Sequence, residues 1–101
     1  MTVSIIAKLT ANDGQRDDLV AALQPMLDHV EANEPDTVRY VLMEDTTDAN
    51  LLWMYEQYTS DEALAAHGSS DAMKELGAAV RPFAAARPEL IFCKPVGGKG
   101  L

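Results

Sequence analysis

Hydrophobic and polar positions recur along this chain with two periods, and turn-forming residues mark each switch between them. Residues 2–10, TVSIIAKLT, alternate: Val3, Ile5, Ala7 and Leu9 point one way, Ser4, Ile6, Lys8 and Thr10 the other. With its β-branched content, the stretch predicts a strand. Asn12-Asp13-Gly14 reads as a turn in which Asn12 or Asp13 caps the next element. Over 15–32 the period becomes helical, with Leu19, Val20, Leu23, Met26, Leu27 and Val30 on one face. Pro25 interrupts that helix with a missing donor and predicts a bend. His29 falls on its polar, solvated side. Pro35 disfavours helical geometry at Glu34 and ends the helix.

Residues 37–44 (TVRYVLME) and 51–58 (LLWMYEQY) read as two strands joined by the turn-former run DTTDAN, a hairpin. Thr59 and Glu62 have capping-box spacing for a short helix over 61–67 that Gly68 stops. Ser69 or Ser70 caps a further helix over 71–79, with Met73, Leu76 and Val80 facing inward. Residues 81–87 are alanine-rich and match neither period. Residues 88–95 (PELIFCKP) read as the last strand, and 96–101 as a loose tail. The order β-α-β-β-α-α-β is the ferredoxin-like split βαβ pattern of an α+β domain: an antiparallel four-stranded sheet with helices on one face. The bare face needs cover. Leu9, Val41 and Met43 are among the apolar residues available for it, and a second copy forming a symmetric dimer is the simplest cover.

Length and composition narrow this picture. The 101 residues are expected to form a single domain over 1–101, and a 48% hydrophobic content is that of a globular chain. Sixteen acids against eight bases give a net charge of −8, which argues against nucleic acid and against an anionic membrane surface. Cys93 is the single cysteine, so no internal disulfide or multi-thiolate zinc site is available. Inside an apolar strand it reads as a buried small side chain. Met26, Met43, Met54 and Met73 read as core fillers. The first residues lack the apolar run of a signal peptide, and the expectation is a cytoplasmic chain, intact from residue 1, with no membrane span. No phosphate-binding glycine loop, HExxH pair or GxSxG elbow occurs.

The side chains able to do chemistry concentrate in 34–67: Tyr40, Tyr55, Tyr58, Trp53 and His67. Glu34-Pro35, then Thr37 and Tyr40, then Tyr55-Glu56-Gln57-Tyr58, then Glu62-Ala63-Leu64-Ala65-Ala66-His67 form a series. It resembles the antibiotic biosynthesis monooxygenase superfamily over nearly the whole chain. The resemblance implies a dimeric ferredoxin-like α+β barrel. It also implies one of several activities: cofactor-independent oxygenation of polycyclic phenols and quinols, haem degradation, or isomerisation of autoinducers. Haem-degrading members carry an asparagine where this chain has Ala7, a tryptophan where it has Tyr58, and an iron-binding histidine near Gly77; all three are missing. Autoinducer-processing members have a second histidine where this chain reads Ser70-Asp71-Ala72.

What remains by resemblance is an oxygenase using no metal or organic cofactor, acting on a phenol, quinol or similar small aromatic with dioxygen. Such a protein binds a flat molecule, deprotonates it, stabilises the anion and excludes water. His67 is the expected proton acceptor, because imidazole titrates nearest neutrality. Glu56 orients it or acts as base itself. Trp53, Tyr55, Tyr40 and Tyr58 are the expected substrate-binding walls. Each has a structural alternative: Trp53 as packing in the core or dimer interface, His67 as a cap on the helix end, Glu56 as acceptor for backbone amides, and Tyr40 and Tyr58 as packing residues. A non-oxidative isomerase or lyase, and a non-catalytic binding or stress protein, are the rival functions.

Overall fold

The computed structural model describes residues 2–101. β1 (Val3–Thr10), α1 (Arg16–Asn33), β2 (Thr37–Glu44), β3 (Leu51–Tyr58), α2 (Asp61–Gly68), α3 (Asp71–Val80), a 3-10 turn (Arg81–Phe83) and β4 (Glu89–Cys93) follow in the expected order. The strands form one antiparallel sheet in the order β2-β3-β1-β4, the split βαβ arrangement.

Strand pairing decides which side chains share a face. Ile5, Ala7 and Leu9 of β1 lie opposite Glu56, Met54 and Leu52 of β3. Tyr40 and Leu42 of β2 lie opposite Glu56 and Met54, and Leu90 and Phe92 of β4 opposite Ala7 and Ile5. These residues meet the helices. Ala11, Leu19, Leu23 and Leu52 form the buried cluster, joined by Leu9, Val20, Leu42, Leu76, Val80 and Phe83. Leu9 therefore belongs to the helix-side core and not to the second layer expected of it. The other face carries Ile6, Lys8, Trp53, Tyr55, Val41, Met43 and Ile91. No helix covers it, and Ile6, Val41, Met43 and Ile91 remain 37–54% exposed.

The hairpin is held by charge. Asp45 accepts from the backbone N–H of Thr47 (3.1 Å) and of Asp48 (2.7 Å), from Thr47 Oγ1 (2.9 Å) and from Trp53 Nε1 (2.9 Å). These donors hold its carboxyl well below the usual carboxylate range. Arg16, at the start of α1, ties that turn to the helix by donating to the Asp45 and Asp48 carbonyls and pairing with Glu44 at 2.7 Å. Near the start of β2 one extra residue, Val38, sits between the pairs Thr37–Tyr58 and Arg39–Gln57, a bulge that keeps Tyr40 on the helix side.

Several local expectations shift. α1 begins at Arg16 with no side-chain cap; the Asn12 amide instead donates to Gln15 Oε1 and the Pro82 carbonyl. Pro25 lies within α1, which continues to Asn33. Ser60, not Thr59, caps α2, its Oγ accepting from Ala63 N, because the Thr59 amide is taken by the Asp36 carbonyl. Ser70 caps α3. Residues 81–87 hold the 3-10 turn and a single bridge from Ala84 to Ala11. Cys93 is exposed, because β4 is an edge strand that places it on the uncovered face. Met26 and Met54 are buried, but Met43 is exposed on the uncovered face. No helix among the described residues is long and apolar enough to cross a membrane.

Candidate functional site

The end of α1 sets the site. Pro35 prevents helical geometry at Glu34, which turns out of the helix at φ −122°, ψ 76° while its N–H still closes on the Val30 carbonyl. The Glu34 side chain then reaches α2 and β2. Its Oε1 accepts from Thr37 Oγ1 and from His67 Nδ1, both at 2.8 Å. Its Oε2 lies 3.1 Å from His29 Nε2, within ion-pair distance but without the alignment of a full hydrogen bond.

His67 sits in the last turn of α2 and is 3% exposed. The Ser70 hydroxyl donates to the His67 carbonyl at 2.8 Å and fixes that turn. A carboxylate has no hydrogen to give, so the one shared with Glu34 belongs to His67 Nδ1. That leaves Nε2 as the acceptor of the neutral ring. It is buried and has no hydrogen-bond partner among the described residues. The ring does not cap carbonyls at the helix end, as one structural alternative had it. Tyr40 meets it edgewise and Tyr58 at a tilt, each with ring centroids 5.3 Å away and interplanar angles of 63° and 52°.

Glu56 lies on β3 across from Tyr40. Its Oε1 accepts from the Tyr58 hydroxyl at 2.5 Å, so it is engaged by a side chain and not by backbone amides. Burial pushes the Glu56 carboxyl up; the bond from Tyr58 and the nearby His67 pull it down, and Glu34 adds to the rise. Burial likewise raises the Tyr40 and Tyr58 hydroxyls, with Glu56 the next cause for each. Both phenols therefore stay protonated donors.

His67, Glu56 and Tyr40 stand at the wall of a cavity of about 460 Å³ between sheet and helices. Ile5, Ala7, Met54, Leu64, Leu90 and Phe92 are among its apolar walls; Tyr40, Glu56 and His67 are its polar and titratable ones. Phe92 is 63% exposed, because β4 is an edge strand, and it forms part of the rim. A second cleft of about 250 Å³, lined by His29, Glu34, Thr37, Ala63 and Ser70, reaches His67 from behind. A larger groove of about 760 Å³ between α1 and β2 is bordered by Asp28, Glu31 and the edge strand and does not contain His67 or Glu56. Among the described residues, no three His, Cys, Asp or Glu side chains are grouped to hold a metal ion.

The six expected site residues divide between two faces. His67, Glu56 and Tyr40 line the cavity; Tyr58 touches Glu56 and His67 but is fully buried and is not the substrate-binding wall expected of it. Trp53 and Tyr55 lie on the uncovered face, across from Lys8 and Ile6 of β1 and Met43 and Val41 of β2, and are not walls of this cavity. Strand alternation requires the split once Glu56 faces inward. Glu34 and His29 were not anticipated. Glu34-Pro35 reads first as a helix stop, and His29 as a solvated residue, whereas His29 is half-buried against Glu34.

Fold and site together define a ferredoxin-like α+β domain with a buried histidine–glutamate pair beside an apolar cavity. The family model for antibiotic biosynthesis monooxygenase matches residues 2–79, and the chain belongs to that family. Among solved structures, the chain is similar to a provisionally named antibiotic biosynthesis monooxygenase from Chloroflexus aurantiacus J-10-fl. The two share 32% identity with a TM-score of 0.80, covering 99% of this chain and 98% of that one. A provisionally named antibiotic biosynthesis monooxygenase from Caulobacter crescentus CB15 is 27% identical with a TM-score of 0.90, covering 95% and 91%. Rv0793 from Mycobacterium tuberculosis, 24% identical with a TM-score of 0.87 over 99% and 100%, shares the fold. No curated protein matches the chain.

Proposed function

We propose that this protein is a cofactor-independent monooxygenase of a phenol, quinol or related small aromatic, with His67 as the proton acceptor. The observation that carries the reading is His67 Nε2: buried, unpartnered, and on a ring whose other nitrogen is tied to Glu34. A flat apolar molecule suits the walls formed by Met54, Leu90 and Phe92. Its hydroxyl gives the proton to Nε2, which the ring has to turn toward the ligand because it is buried in the free protein, and Glu34 steadies the imidazolium. The Tyr40 hydroxyl is a donor available to the resulting anion. The electron-rich anion reduces dioxygen: one oxygen atom joins a ring carbon and the other leaves as water, so a phenol becomes a quinone with every electron drawn from the substrate.

The uncovered sheet face fits a second copy of the chain, giving a homodimer in which Trp53, Tyr55, Val41, Met43 and Ile91 pack across the interface. The test of the activity is dioxygen uptake with a panel of mono-, bi- and tricyclic quinols, comparing the natural protein with His67→Ala. Uptake that falls by about 10²–10⁴ in the variant supports the assignment. Equal rates remove His67 from the mechanism. Turnover that persists without dioxygen moves the function to an isomerase or lyase.

A further inference from the structure

We propose that His29 is a positioning residue of the acid–base centre. It holds the second oxygen of Glu34, and through that carboxylate it keeps the His67 ring in the form that leaves Nε2 bare. The proposal rests on the reading of His67 as proton acceptor.

The chain has two histidines, and both bring a ring nitrogen to the same carboxylate. The Asn33 amide donates to His29 Nδ1 at 3.3 Å and to the His29 carbonyl at 3.2 Å. With a donor facing Nδ1, the hydrogen of the neutral ring sits on Nε2, the nitrogen 3.1 Å from Glu34 Oε2. The carboxylate therefore accepts hydrogen bonds from Thr37 in β2 and His67 in α2 on one oxygen, and His29 in α1 faces the other at 3.1 Å.

Glu34 Oε2 is buried and, His29 apart, has no partner among the described residues. A buried carboxylate oxygen left without a donor is costly, and the side chain rotates to recover one. Any such rotation draws Oε1 away from His67 Nδ1. The ring then loses the interaction that fixes which nitrogen carries its hydrogen. The placement is not an ordinary helix pair. Residue i+4 from His29 is Asn33, and Glu34 meets the ring because the chain has left the helix there. His29, Glu34 and His67 line one cleft.

The experiment compares the natural protein with His29→Ala and His29→Gln, because the glutamine amide can reach the position of Nε2 and still donate. With two histidines, ¹⁵N-labelled protein reports each ring's tautomer directly. His67 is expected to be protonated at Nδ1 in the natural protein. His29→Ala should give a mixture of tautomers and lower kcat for quinol-dependent dioxygen uptake on the order of tenfold, with KM changed less than about twofold. His29→Gln should restore both the tautomer and kcat. An unchanged His67 tautomer in a folded His29→Ala overturns the proposal, as does a His29→Gln that behaves like the alanine variant. If the natural protein oxidises none of the quinols, the oxygenase reading fails while the ring spectra still decide the role of His29.

Discussion

His67 Nδ1 lies 2.8 Å from Glu34 Oε1, and that contact decides which nitrogen of the ring is free. Glu34→Gln tests it. A glutamine amide that turns its N–H₂ to Nδ1 forces the hydrogen onto Nε2, the wrong nitrogen for accepting a proton in the cavity. We expect kcat for quinol-dependent dioxygen uptake to fall by about 10²–10⁴. Thermal stability should change little by comparison, because the second amide hydrogen can be donated to Thr37 Oγ1, which then accepts instead of donating. An unchanged kcat would mean that another group takes the proton.

Tyr58 and Glu56 form the second coupled pair. Tyr58→Phe removes the hydroxyl that donates to the buried Glu56 Oε1 and fills nearly the same volume. The unfolding free energy should drop by about 1–3 kcal/mol, measured by denaturant titration near neutral pH.

Glu56 also carries a pH signature. Its carboxyl is raised in the folded protein, chiefly by burial, from about 4.5. The folded state therefore binds that proton more tightly than the unfolded chain does. The resulting stabilisation is fully present below 4.5 and is lost as pH rises through the folded value. Glu56→Gln cannot ionise. Its stability relative to the natural protein should improve across that interval, by about 1.4 kcal/mol for each unit of rise. Melting both proteins from about pH 4 to about pH 8 checks the sign; a difference that is flat or opposite in slope rejects it.

Phe92 offers a test of ligand shape. It is a rim residue of the cavity, on an edge strand, and 63% of it is exposed. If a flat aromatic lies against it, Phe92→Ala should raise KM on the order of tenfold, the equivalent of ~1.4 kcal/mol of apolar contact, with kcat nearly unchanged. A lowered kcat at constant KM would place the ring in the chemistry and not in binding.

The fold was largely legible because its signals are local and redundant. Alternation in β1, the helical period of α1 and the turn formers before β3 each specify one element, and they agree with one another. The site was legible only in part. β3 is apolar on both sides, so its sequence does not say whether Glu56 or Trp53 faces the helices; the parity is set by pairing with Ile5 and Tyr40, which is a tertiary fact. Glu34 carries two messages at one position. The local one, a helix stop before proline, hides the long-range one, a contact with His67 33 residues away. His29 is the same case from the other side. On a helical wheel it is polar surface, and only the path of the chain after Asn33 brings a carboxylate back to it.

The uncovered face of the sheet leads to the last expectation. Ile6, Val41, Met43 and Ile91 share it at 37–54% exposure, beside Trp53 and Tyr55. An apolar patch of this kind on a small domain is a candidate surface for association. If a second copy covers it, Ile91→Lys places an unpaired ammonium in the interface. The expected loss is several kcal/mol, weakening association by at least about a hundredfold. Val96→Lys, on a fully exposed residue beyond β4, is the control. Sedimentation should show a dimer for the natural protein and the control, and a monomer for Ile91→Lys at the same micromolar concentration. If the dimer also protects the cavity, whose rim includes Phe92 on the same strand, the Ile91→Lys monomer should lose dioxygen uptake while its His67 tautomer is unchanged. A natural protein that sediments as a monomer would leave this face free and remove the dimer from the mechanism.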